Sequence, residues 1–451
     1  MYPSSTAETA AAVEPTVEPV VRPCGGPPEA GCPAGAFDVQ LASGRLRLRL
    51  ARADRPLSEL CGFASRLNAR RGFLFVSKVL GKHWPVKPSA MARTHRELAA
   101  KLLALAPRAP LALAAMAETS VGLGRGTFEA WTELAGVSDA LFLQTTRLKL
   151  ARPLMAVVEE PHCHAPRHWI YRPASAAAER LLAGARTLAL VDDEITTGRT
   201  LANLAKALVL VAPRVERLIL ASLLDWLGPE RKAALAAELP RPADFVSLLE
   251  GEFAFEPVSE ASSAAGTEAG ARSGGQADFE AAVEASSKSS SAANPASPLS
   301  ETPVFKSVGG VRAVDDLLSA DFGRLGLLAG RRTVEPAALA ALAEGLRLPP
   351  GAPALVLGAG EFLHEPYLLA RMLENQGRDV LFQSTTRTPI ALGGDVRRAL
   401  RFEDEFGEGL DNFLYNVEPD SGRTAVACYP VKALPSGHDL PARLRARKVF
   451  F

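Results

Sequence analysis

The sequence predicts an α/β protein with two related domains, each built on a parallel sheet. Short apolar stretches such as residues 187–191 alternate with Leu/Ala-rich helical stretches, and this alternation is typical of βαβ units. A long stretch rich in Ser, Ala and Gly divides the chain. The same features, in the same order, then occur on both sides of that stretch.

Composition limits the classes of protein to consider. The chain has 451 residues and a formal net charge of +1, so it is long enough for two or three domains and has no charge excess typical of nucleic-acid binding. Its five cysteines do not form a disulfide framework, which favours a reducing compartment. No charged and apolar leader opens the sequence, and no apolar stretch is long enough to span a bilayer. We therefore expect a cytoplasmic protein that binds neither membranes nor nucleic acids.

Changes of composition divide the chain into four segments. Residues 1–37 lack apolar periodicity and are predicted to be a disordered tail. Residues 38–256 are predicted to form the first domain, which opens on an alternating stretch typical of an edge strand. Residues 257–303 have almost no large apolar side chains, so burial cannot offset their ordering entropy and a low-complexity linker is predicted. Residues 304–451 are the second domain.

The two domains carry the same polar landmarks. In each, an apolar strand is followed by a glutamate, Glu118 in the first copy and Glu361 in the second. A helix follows, and then a strand ending in Thr-Thr-Arg, at Arg147 and Arg387. An acidic loop then leads to a tyrosine. Ala/Leu-rich helices align by chance, but the ordered recurrence of these polar groups favours a duplication, with the second domain a degenerate repeat of the first.

The stretch VDDEITTGRT, residues 191–200, places two acids at the end of a predicted buried strand. Asp192 and Asp193 would lie at the carboxyl end of that strand, where open α/β sheets bind ligands. Small residues then lead into a helix, whose free N–H groups bind phosphate. Carboxylates accept hydrogen bonds from vicinal hydroxyls and hold Mg²⁺ through water. Together these groups suit a ribose 5-phosphate.

The stretch LALVDDEITTGRT resembles the phosphoribosyl-pyrophosphate (PRPP) motif of type I phosphoribosyltransferases. The resemblance implies a type I phosphoribosyltransferase-like parallel-sheet domain, PRPP as substrate and Mg²⁺ as cofactor, held through substrate and water. It departs from the usual pattern at Glu194, where relatives carry an apolar residue. The implied PRPP-binding residues are Asp192, Asp193, Thr196, Thr197, Gly198, Arg199 and Thr200. Relatives that act on 6-oxopurines carry an aspartate where this chain has Thr196, which puts that base class in doubt.

Other motifs extend the resemblance to most of the chain. FVSKVLGKHWPVKP (75–88) and AETSVGLGRGTFEAW look like a phosphoribosyltransferase subgroup associated with bacterial tellurite-resistance gene clusters. STTRTP (384–389) resembles the name-giving motif of the TRSP domain that follows this subgroup, with Thr388 in place of the serine. The subgroup implies synthesis or salvage of a nucleoside-like metabolite, and the acceptor base stays open.

Two further stretches are implied to act on the pyrophosphate. The Gly-rich turn AETSVGLGRG is similar to the pyrophosphate loop of the family, with Arg125 as an added charge. The residues assigned to this loop are Glu118, Thr119, Ser120 and Gly122. The His-rich stretch 159–168 lies where relatives carry a flexible hood, and catalytic roles are expected for His162, His164 and Arg167.

Each of these stretches has an alternative interpretation. The hood residues also fit a solvated polar loop, and their H-C-H-x3-H spacing is a poor match to structural zinc sites, which draw ligand pairs from separated segments. The Gly-rich turn also fits a plain strand-to-helix connection. Lys78, Lys82 and His83 face either the base or solvent.

The predicted function is Mg²⁺-dependent phosphoribosyl transfer from PRPP to a nucleobase-like acceptor. The alternatives are a PRPP- or nucleotide-sensing protein without turnover and an interaction module. The intact pair of acids favours catalysis, because a sensor needs only the phosphate loop. No Asp-Asp pair or phosphate loop occurs in the second domain, so no PRPP site is expected there. Related domains often pair about a two-fold axis, so we expect either a homodimer or pairing of the two domains within one chain.

Overall fold

A computed structural model describes most of the chain, and every structural statement below concerns the described residues. These are residues 21–24, 35–66, 72–159, 167–258 and 317–451. His162 and His164 of the predicted hood lie outside them, and so does almost all of the predicted linker.

The first domain is built on one large sheet. Its strands are β1 (Val21–Cys24), β2 (Gly35–Leu41), β3 (Gly44–Ala53), β4 (Cys61–Ser65), β5 (Phe73–Ser77), β6 (Leu111–Ala115), β7 (Ala140–Gln144), β8 (Leu154–Glu159), β9 (Arg167–Tyr171), β10 (Thr187–Ile195), β11 (Arg217–Asp225) and β12 (Ala243–Pro257). Its helices are α1 (Leu57–Leu60), α2 (Pro88–Ala104), α3 (Thr119–Ala135), α4 (Ala176–Gly184), α5 (Arg199–Val211) and α6 (Gly228–Glu238).

Parallel strands form the centre of this sheet, in the order β7–β6–β10–β11–β12. The antiparallel strands β3, β2 and β1 continue it beyond β12. The predicted α/β fold is therefore confirmed, with a mixed sheet whose centre is parallel. The hairpins β4–β5 and β8–β9 stand apart from the sheet.

Helices cover both faces of the sheet, because its central strands are apolar on both sides. In β6, Leu111 and Leu113 face a core shared with α2 and α3. The alternate residues Ala112 and Ala114 face a second core shared with α4 and α5. In the part of the chain that the structure covers, no helix is both long and apolar enough to cross a bilayer.

The second domain repeats this plan on a smaller scale. Its strands are β13 (Leu327–Leu328), β14 (Ala354–Gly358), β15 (Val380–Ser384), β16 (Ala399–Glu403), β17 (Asp411–Tyr415), β18 (Thr424–Tyr429) and β19 (Arg447–Phe450). Its helices are α7 (Pro336–Gly345), α8 (His364–Asn375) and α9 (Leu440–Arg443). Four parallel strands in the order β15–β14–β18–β19 form the sheet, and β16 and β17 form a separate hairpin.

Corresponding hydrogen bonds fix corresponding turns in the two domains. Ala117 N donates to Thr145 Oγ1 at 2.7 Å, and Gly360 N donates to Thr385 Oγ1 at 2.8 Å. Both threonines open the Thr-Thr-Arg turn that follows the edge strand β7 or β15. In each domain the turn after the first central strand is thus bonded to the turn after the next strand.

The tyrosines of the two hairpins also occupy matching positions. Tyr171 Oη accepts a hydrogen bond from Leu150 N at 2.7 Å, and Tyr415 Oη accepts one from Ile390 N at 2.8 Å. Both tyrosines end the second strand of a hairpin, β9 or β17. Strand order, hairpin and polar contacts therefore correspond between the two domains.

The two domains exchange segments across their boundary. The short strand β13 adds antiparallel to the edge strand β7 of the first sheet. In the other direction, Val86 N donates to Phe382 O at 2.9 Å and Phe382 N donates to Val86 O at 2.7 Å. Each domain thus completes an edge of the other.

The structure shifts two predicted boundaries. The tail predicted over residues 1–37 contains strand β1, at Val21–Cys24. Strand β2 begins at Gly35, within the last residues of the predicted tail. The alternating stretch after it is a hairpin, β2–β3, rather than one edge strand. The last strand of the first domain continues to Pro257 because it pairs along its length with β3.

Candidate active site

The two acids lie where the central strand loses one of its neighbours. Strand β10 pairs with β6 only as far as Val191, whereas it pairs with β11 as far as Ile195. Asp192 and Asp193 therefore stand at the carboxyl edge of the sheet, beside the gap left where the chain after β6 turns away. This is the position at which open α/β sheets bind ligands.

Ser120 joins the predicted pyrophosphate segment to the two acids. Its Oγ lies 2.6 Å from Asp192 Oδ1 and 3.0 Å from Asp193 Oδ1, and it accepts a hydrogen bond from Asp193 N at 2.9 Å. Ser120 is fully buried, while both acids are partly exposed. The structure thus brings together two groups that the sequence separates by about seventy residues.

Three consecutive acids make this edge strongly negative. Burial raises the pKa of Asp193, and the charge of Glu194 raises it further. Burial likewise raises the pKa of the Cys61 thiol, and again Glu194 adds to the effect. Hydroxyl donors or a cation placed here would relieve this repulsion.

The predicted phosphate loop is a tight turn into a helix. Residues 196–198 join β10 to α5, a helix of 13 residues whose first N–H groups point at this turn. Gly198 has φ +69° and lies against Leu235, so a Cβ there would overlap that side chain. Trp226 N donates to Ile195 O at 2.8 Å and fixes the strand end before the turn.

We expect Gly198→Ala to weaken both the fold and phosphate binding. Its positive φ costs an L-residue about 1–2 kcal/mol, and the contact with Leu235 adds to this. Chemical denaturation and PRPP calorimetry measure the two effects. The control is Gly184→Ala, at the last residue of α4 with open space around it, where a gain of about 0.5–1 kcal/mol is expected. Equal stability of the two variants would contradict the prediction.

The predicted pyrophosphate loop is shorter than expected. Helix α3 begins at Thr119, so Thr119, Ser120 and Gly122 lie in its first turn and only Glu118 precedes it. The correction has a packing cause, since Gly124 and Gly126 let α3 approach Ala115 and α2 closely. The first turn of a helix still presents free N–H groups to an anion.

Arg125 does not face the predicted anion site. It is buried one and a half turns into α3, where its Nε donates to Glu129 at 3.0 Å and its Nη2 donates to Thr333 at 3.2 Å. The expectation that Arg125 adds charge to the loop is therefore wrong. As part of a helix, the segment turns this side chain towards the second domain instead.

The lysine-rich stretch before α2 holds the domains together rather than facing the two acids. Lys82 Nζ donates to Gly360 O at 3.0 Å and lies 3.5 Å from Glu118, and Lys78 Nζ lies 3.0 Å from Asp395. Burial, and then the charge of Lys82, lower the pKa of His83 to about 3, so this imidazole is neutral. Lys82 is buried, whereas Lys78 and His83 are partly exposed.

Glu118 is held in a strained conformation beside cations. It has φ +69°. Burial opposes ionisation, but the charges of Lys82 and Arg147 outweigh it and keep the pKa of Glu118 below its ordinary value. Arg387 of the second domain adds to this effect. Glu118 is thus an ionised carboxylate at the start of the pyrophosphate segment.

Glu361, the counterpart of Glu118, reaches into the first domain. Its carboxylate accepts hydrogen bonds from Thr146 Oγ1 at 2.5 Å and from Arg147 N at 2.6 Å. Arg324 Nε lies 4.0 Å away. In the sequence, Glu361 stands out only as a repeat landmark, because nothing local shows that its partners lie in the other domain.

Only the two ends of the predicted hood are described, Glu159 at the end of β8 and Arg167 with His168 at the start of β9. Arg167 opens β9, with 59% of its side chain exposed, and lies 3.7 Å from Glu159. His168 is buried instead, with Nδ1 3.0 Å from Thr145 Oγ1. Among the described residues, no three His, Cys, Asp or Glu side chains are grouped as metal ligands.

Comparisons with known families assign both domains. The sequence model of a family described as phosphoribosyl transferase matches residues 60–252. The model of the TRSP domain, which lies C-terminal to that family, matches residues 321–437. A comparison with curated proteins gave no match.

Several solved phosphoribosyltransferase structures are similar to part of the chain. Adenine phosphoribosyltransferase from Thermoanaerobacter pseudethanolicus has 18% identity and a TM-score of 0.24, over 36% of this chain and 81% of that one. The enzyme of the same name from Rhodothermus marinus has 14% identity and a TM-score of 0.29, over 42% and 95%. A hypoxanthine phosphoribosyltransferase variant from Trypanosoma cruzi, complexed with its product IMP, has 15% identity and a TM-score of 0.25, over 39% and 80%.

The two family matches follow one another in the order that the motifs predict, with the diacid strand inside the first and the Thr-Thr-Arg turn of β15 inside the second. The chain is therefore an enzyme of the pentosyltransferase class, in which a phosphoribosyltransferase domain is followed by a TRSP domain.

Proposed function

We propose that the chain transfers the phosphoribosyl group of PRPP to a nucleobase-like acceptor and releases pyrophosphate, with Mg²⁺ as cofactor. The observation that carries this proposal is the meeting of three groups at one sheet edge. These are the Asp192–Asp193 pair, the turn at residues 196–198 and the first turn of α3 with Ser120. The two acids contact Ser120 on one side and are followed along the chain by the turn on the other, which suits a ribose held between a pyrophosphate and a 5-phosphate.

Each group has a chemical task in this proposal. The carboxylates of Asp192 and Asp193 accept hydrogen bonds from the two ribose hydroxyls. The N–H groups at the start of α5, with the hydroxyls of Thr196, Thr197 and Thr200, bind the 5-phosphate. The free amides at the start of α3 bind the pyrophosphate. A ring nitrogen of the acceptor attacks C1′ as the bond from C1′ to the pyrophosphate oxygen breaks.

The residues present fit a divalent cation. Carboxylate oxygens are the ligands that Mg²⁺ prefers, and it keeps several waters and substrate oxygens in its shell. Asp192 and Asp193 would hold the ion through water, and it would neutralise charge on the departing pyrophosphate. Burial, and then the charge of Glu194, raise the pKa of Asp193, and such an ion would offset the effect of Glu194.

We propose that the product is a nucleoside-like metabolite of a synthesis or salvage route. The motif resemblance implies that this route is associated with tellurite resistance and stress. Thr196 argues against a 6-oxopurine acceptor. The free, buried thiols of Cys61 and Cys428 suit a reducing compartment such as the cytoplasm.

A screen of pyrophosphate release with PRPP, Mg²⁺ and a panel of bases tests the proposal. We expect release with at least one base and none without a base. Tight PRPP binding without release for any base would favour the alternative, a sensor without turnover. Release in the absence of Mg²⁺ would overturn the cofactor assignment.

The second domain is, in this proposal, a degenerate repeat of the first that packs on it as a second subunit would. The matching strand order and the matching threonine and tyrosine contacts support this. It has no PRPP site of its own in our proposal. Strand β18 ends at Tyr429 and is followed by Pro430, and the next helix begins only at Leu440.

The hood is proposed to act in the transition state. Replacing His162, His164 and Arg167 with alanine is expected to lower kcat by about 10²-fold and to raise the KM for PRPP less, because cations there stabilise the departing pyrophosphate. Steady-state kinetics measure both constants, with Arg180→Ala on the exposed face of α4 as control. Unchanged kcat in the triple variant would show that the loop is a solvated loop without a catalytic role. Stoichiometric zinc in the purified protein would show that the loop binds a metal.

A further inference from the structure

A large cavity lies between the two domains, on the side of the first sheet that α2 and α3 cover. It has a volume of about 800 Å³ and is lined by residues of α2, α3, α7, α8 and the stretch 330–334 that precedes α7. Sites for small molecules have volumes of about 300–1,000 Å³ and are common at domain boundaries. Its size therefore suits a whole organic ligand rather than a single ion.

The cavity carries an excess of positive charge. Two glutamates line it, against five arginines: Arg96, Arg125, Arg331, Arg332 and Arg371. Arg125 is paired with one of the glutamates at 3.0 Å, and Arg96 lies 3.7 Å from the other.

Three of the arginines face the cavity without a carboxylate. Among the described residues, no acid lies within ion-pair distance of Arg331, Arg332 or Arg371, and Arg371 donates to Tyr367 Oη at 3.2 Å. Guanidinium groups bind phosphate through two parallel hydrogen bonds. Three of them around one cavity favour a ligand with a phosphate group.

Part of the cavity wall is apolar and aromatic. Val334, Leu339, Leu368 and Met372 line it. The ring of Tyr367 lies beside them. A free inorganic anion would leave this wall exposed to water, and a purely apolar ligand would leave the arginines unpaired.

His95 offers the cavity a polar atom without a partner. It lines the cavity, only 3% of it is exposed, and its Nε2 has no hydrogen-bond partner among the described residues. Burial lowers the pKa of His95 to about 3, so the imidazole is neutral and can bond an uncharged polar group. A buried polar atom of this kind is normally satisfied by a ligand or water.

This cavity is distinct from the candidate active site. None of Asp192, Asp193 or residues 196–200 lines it. Glu129, on its wall, lies nine residues after Ser120 along α3, which corresponds to about 14 Å of helix. We propose that the cavity is a second ligand site, for a nucleoside phosphate, with the phosphate on Arg331, Arg332 and Arg371 and the base against the Tyr367 wall.

The test uses the full chain and the fluorescent nucleotide trinitrophenyl-ATP. We expect Arg331→Glu with Arg332→Glu to weaken binding by about tenfold or more, since two phosphate-binding charges are reversed. Both residues are exposed and lie outside helices and strands, which limits any effect on folding. The matched control, Arg180→Glu with Arg214→Glu, makes the same change of net charge at two exposed positions away from the cavity.

Two further measurements distinguish binding at this cavity from binding at the active site and from a nonspecific effect of charge. Asp192→Asn with Asp193→Asn should retain full binding of the probe, and AMP should displace the probe at lower concentration than inorganic phosphate does. Unchanged binding in the Arg331/Arg332 variant, or equal loss in the control, would overturn the proposal. Loss of probe binding in the Asp192/Asp193 variant would assign the probe to the active site, and equal competition by inorganic phosphate would remove the role of the apolar wall.

Discussion

Replacing Asp192 and Asp193 together with asparagine is expected to abolish phosphoribosyl transfer and to weaken PRPP binding strongly. Each carboxylate accepts a hydrogen bond from a ribose hydroxyl in our proposal, and a charge-assisted bond of this kind contributes about 1.5–3 kcal/mol. Loss of both corresponds to roughly 10²–10⁴-fold in Kd. Calorimetry with PRPP and Mg²⁺ measures the affinity, and the pyrophosphate assay measures turnover.

The fold should survive this change. The amide oxygen of asparagine still accepts the hydrogen bonds that Asp192 Oδ1 receives from Ser120 Oγ and Asp193 N. The repulsion between Asp193 and Glu194 is also reduced. The control is Glu418→Gln with Asp420→Asn, which removes two charges at exposed positions.

Two outcomes would contradict this prediction. Wild-type affinity for PRPP in the double variant would remove the ribose-binding role of the two acids. A large fall in the unfolding midpoint would show that the acids hold the fold, and the loss of activity would then have no bearing on binding.

Local patterns were enough to predict the diacid edge. A short apolar strand, two acids, a glycine turn and a helix follow one another within residues 187–211, so the physical causes of the site lie in one stretch of sequence. The α/β plan is predictable for the same reason, since the periodicity of strands and helices is local. The contact of Ser120 with the acids is different, because it depends on the neighbouring strand.

Contacts between the domains cannot be predicted from local sequence patterns. Lys82 and Gly360 are separated by 278 residues, and Thr146 and Glu361 by 215. Strand β13 has two residues, too few to show any alternation. The sequence does not predict the helical start of α3, because three glycines in one segment favour a loop. In the structure, tertiary packing compensates for the low helix propensity of these glycines.

Glu361→Ala is expected to destabilise the whole chain and to lower its activity. Glu361 is 7% exposed in its side chain and accepts hydrogen bonds from Thr146 Oγ1 and Arg147 N across the domain boundary. Its removal leaves two buried donors without an acceptor, at about 1–3 kcal/mol each, so the free energy of unfolding should fall by roughly 2–6 kcal/mol. Glu361→Gln keeps one acceptor oxygen and should lower the free energy of unfolding by less.

The activity should fall with the stability because the same turn borders the pyrophosphate segment. Arg147, held by Glu361, is one of the charges that keep the pKa of Glu118 low, and Glu118 directly precedes α3 and Ser120. Denaturation followed by fluorescence gives the free energy of unfolding, and kcat is measured at a temperature where every variant is folded. Glu418→Ala, an exposed residue of the same domain, is the control. If Glu361→Ala unfolds at the wild-type midpoint and retains kcat, the second domain does not support the active site through this contact.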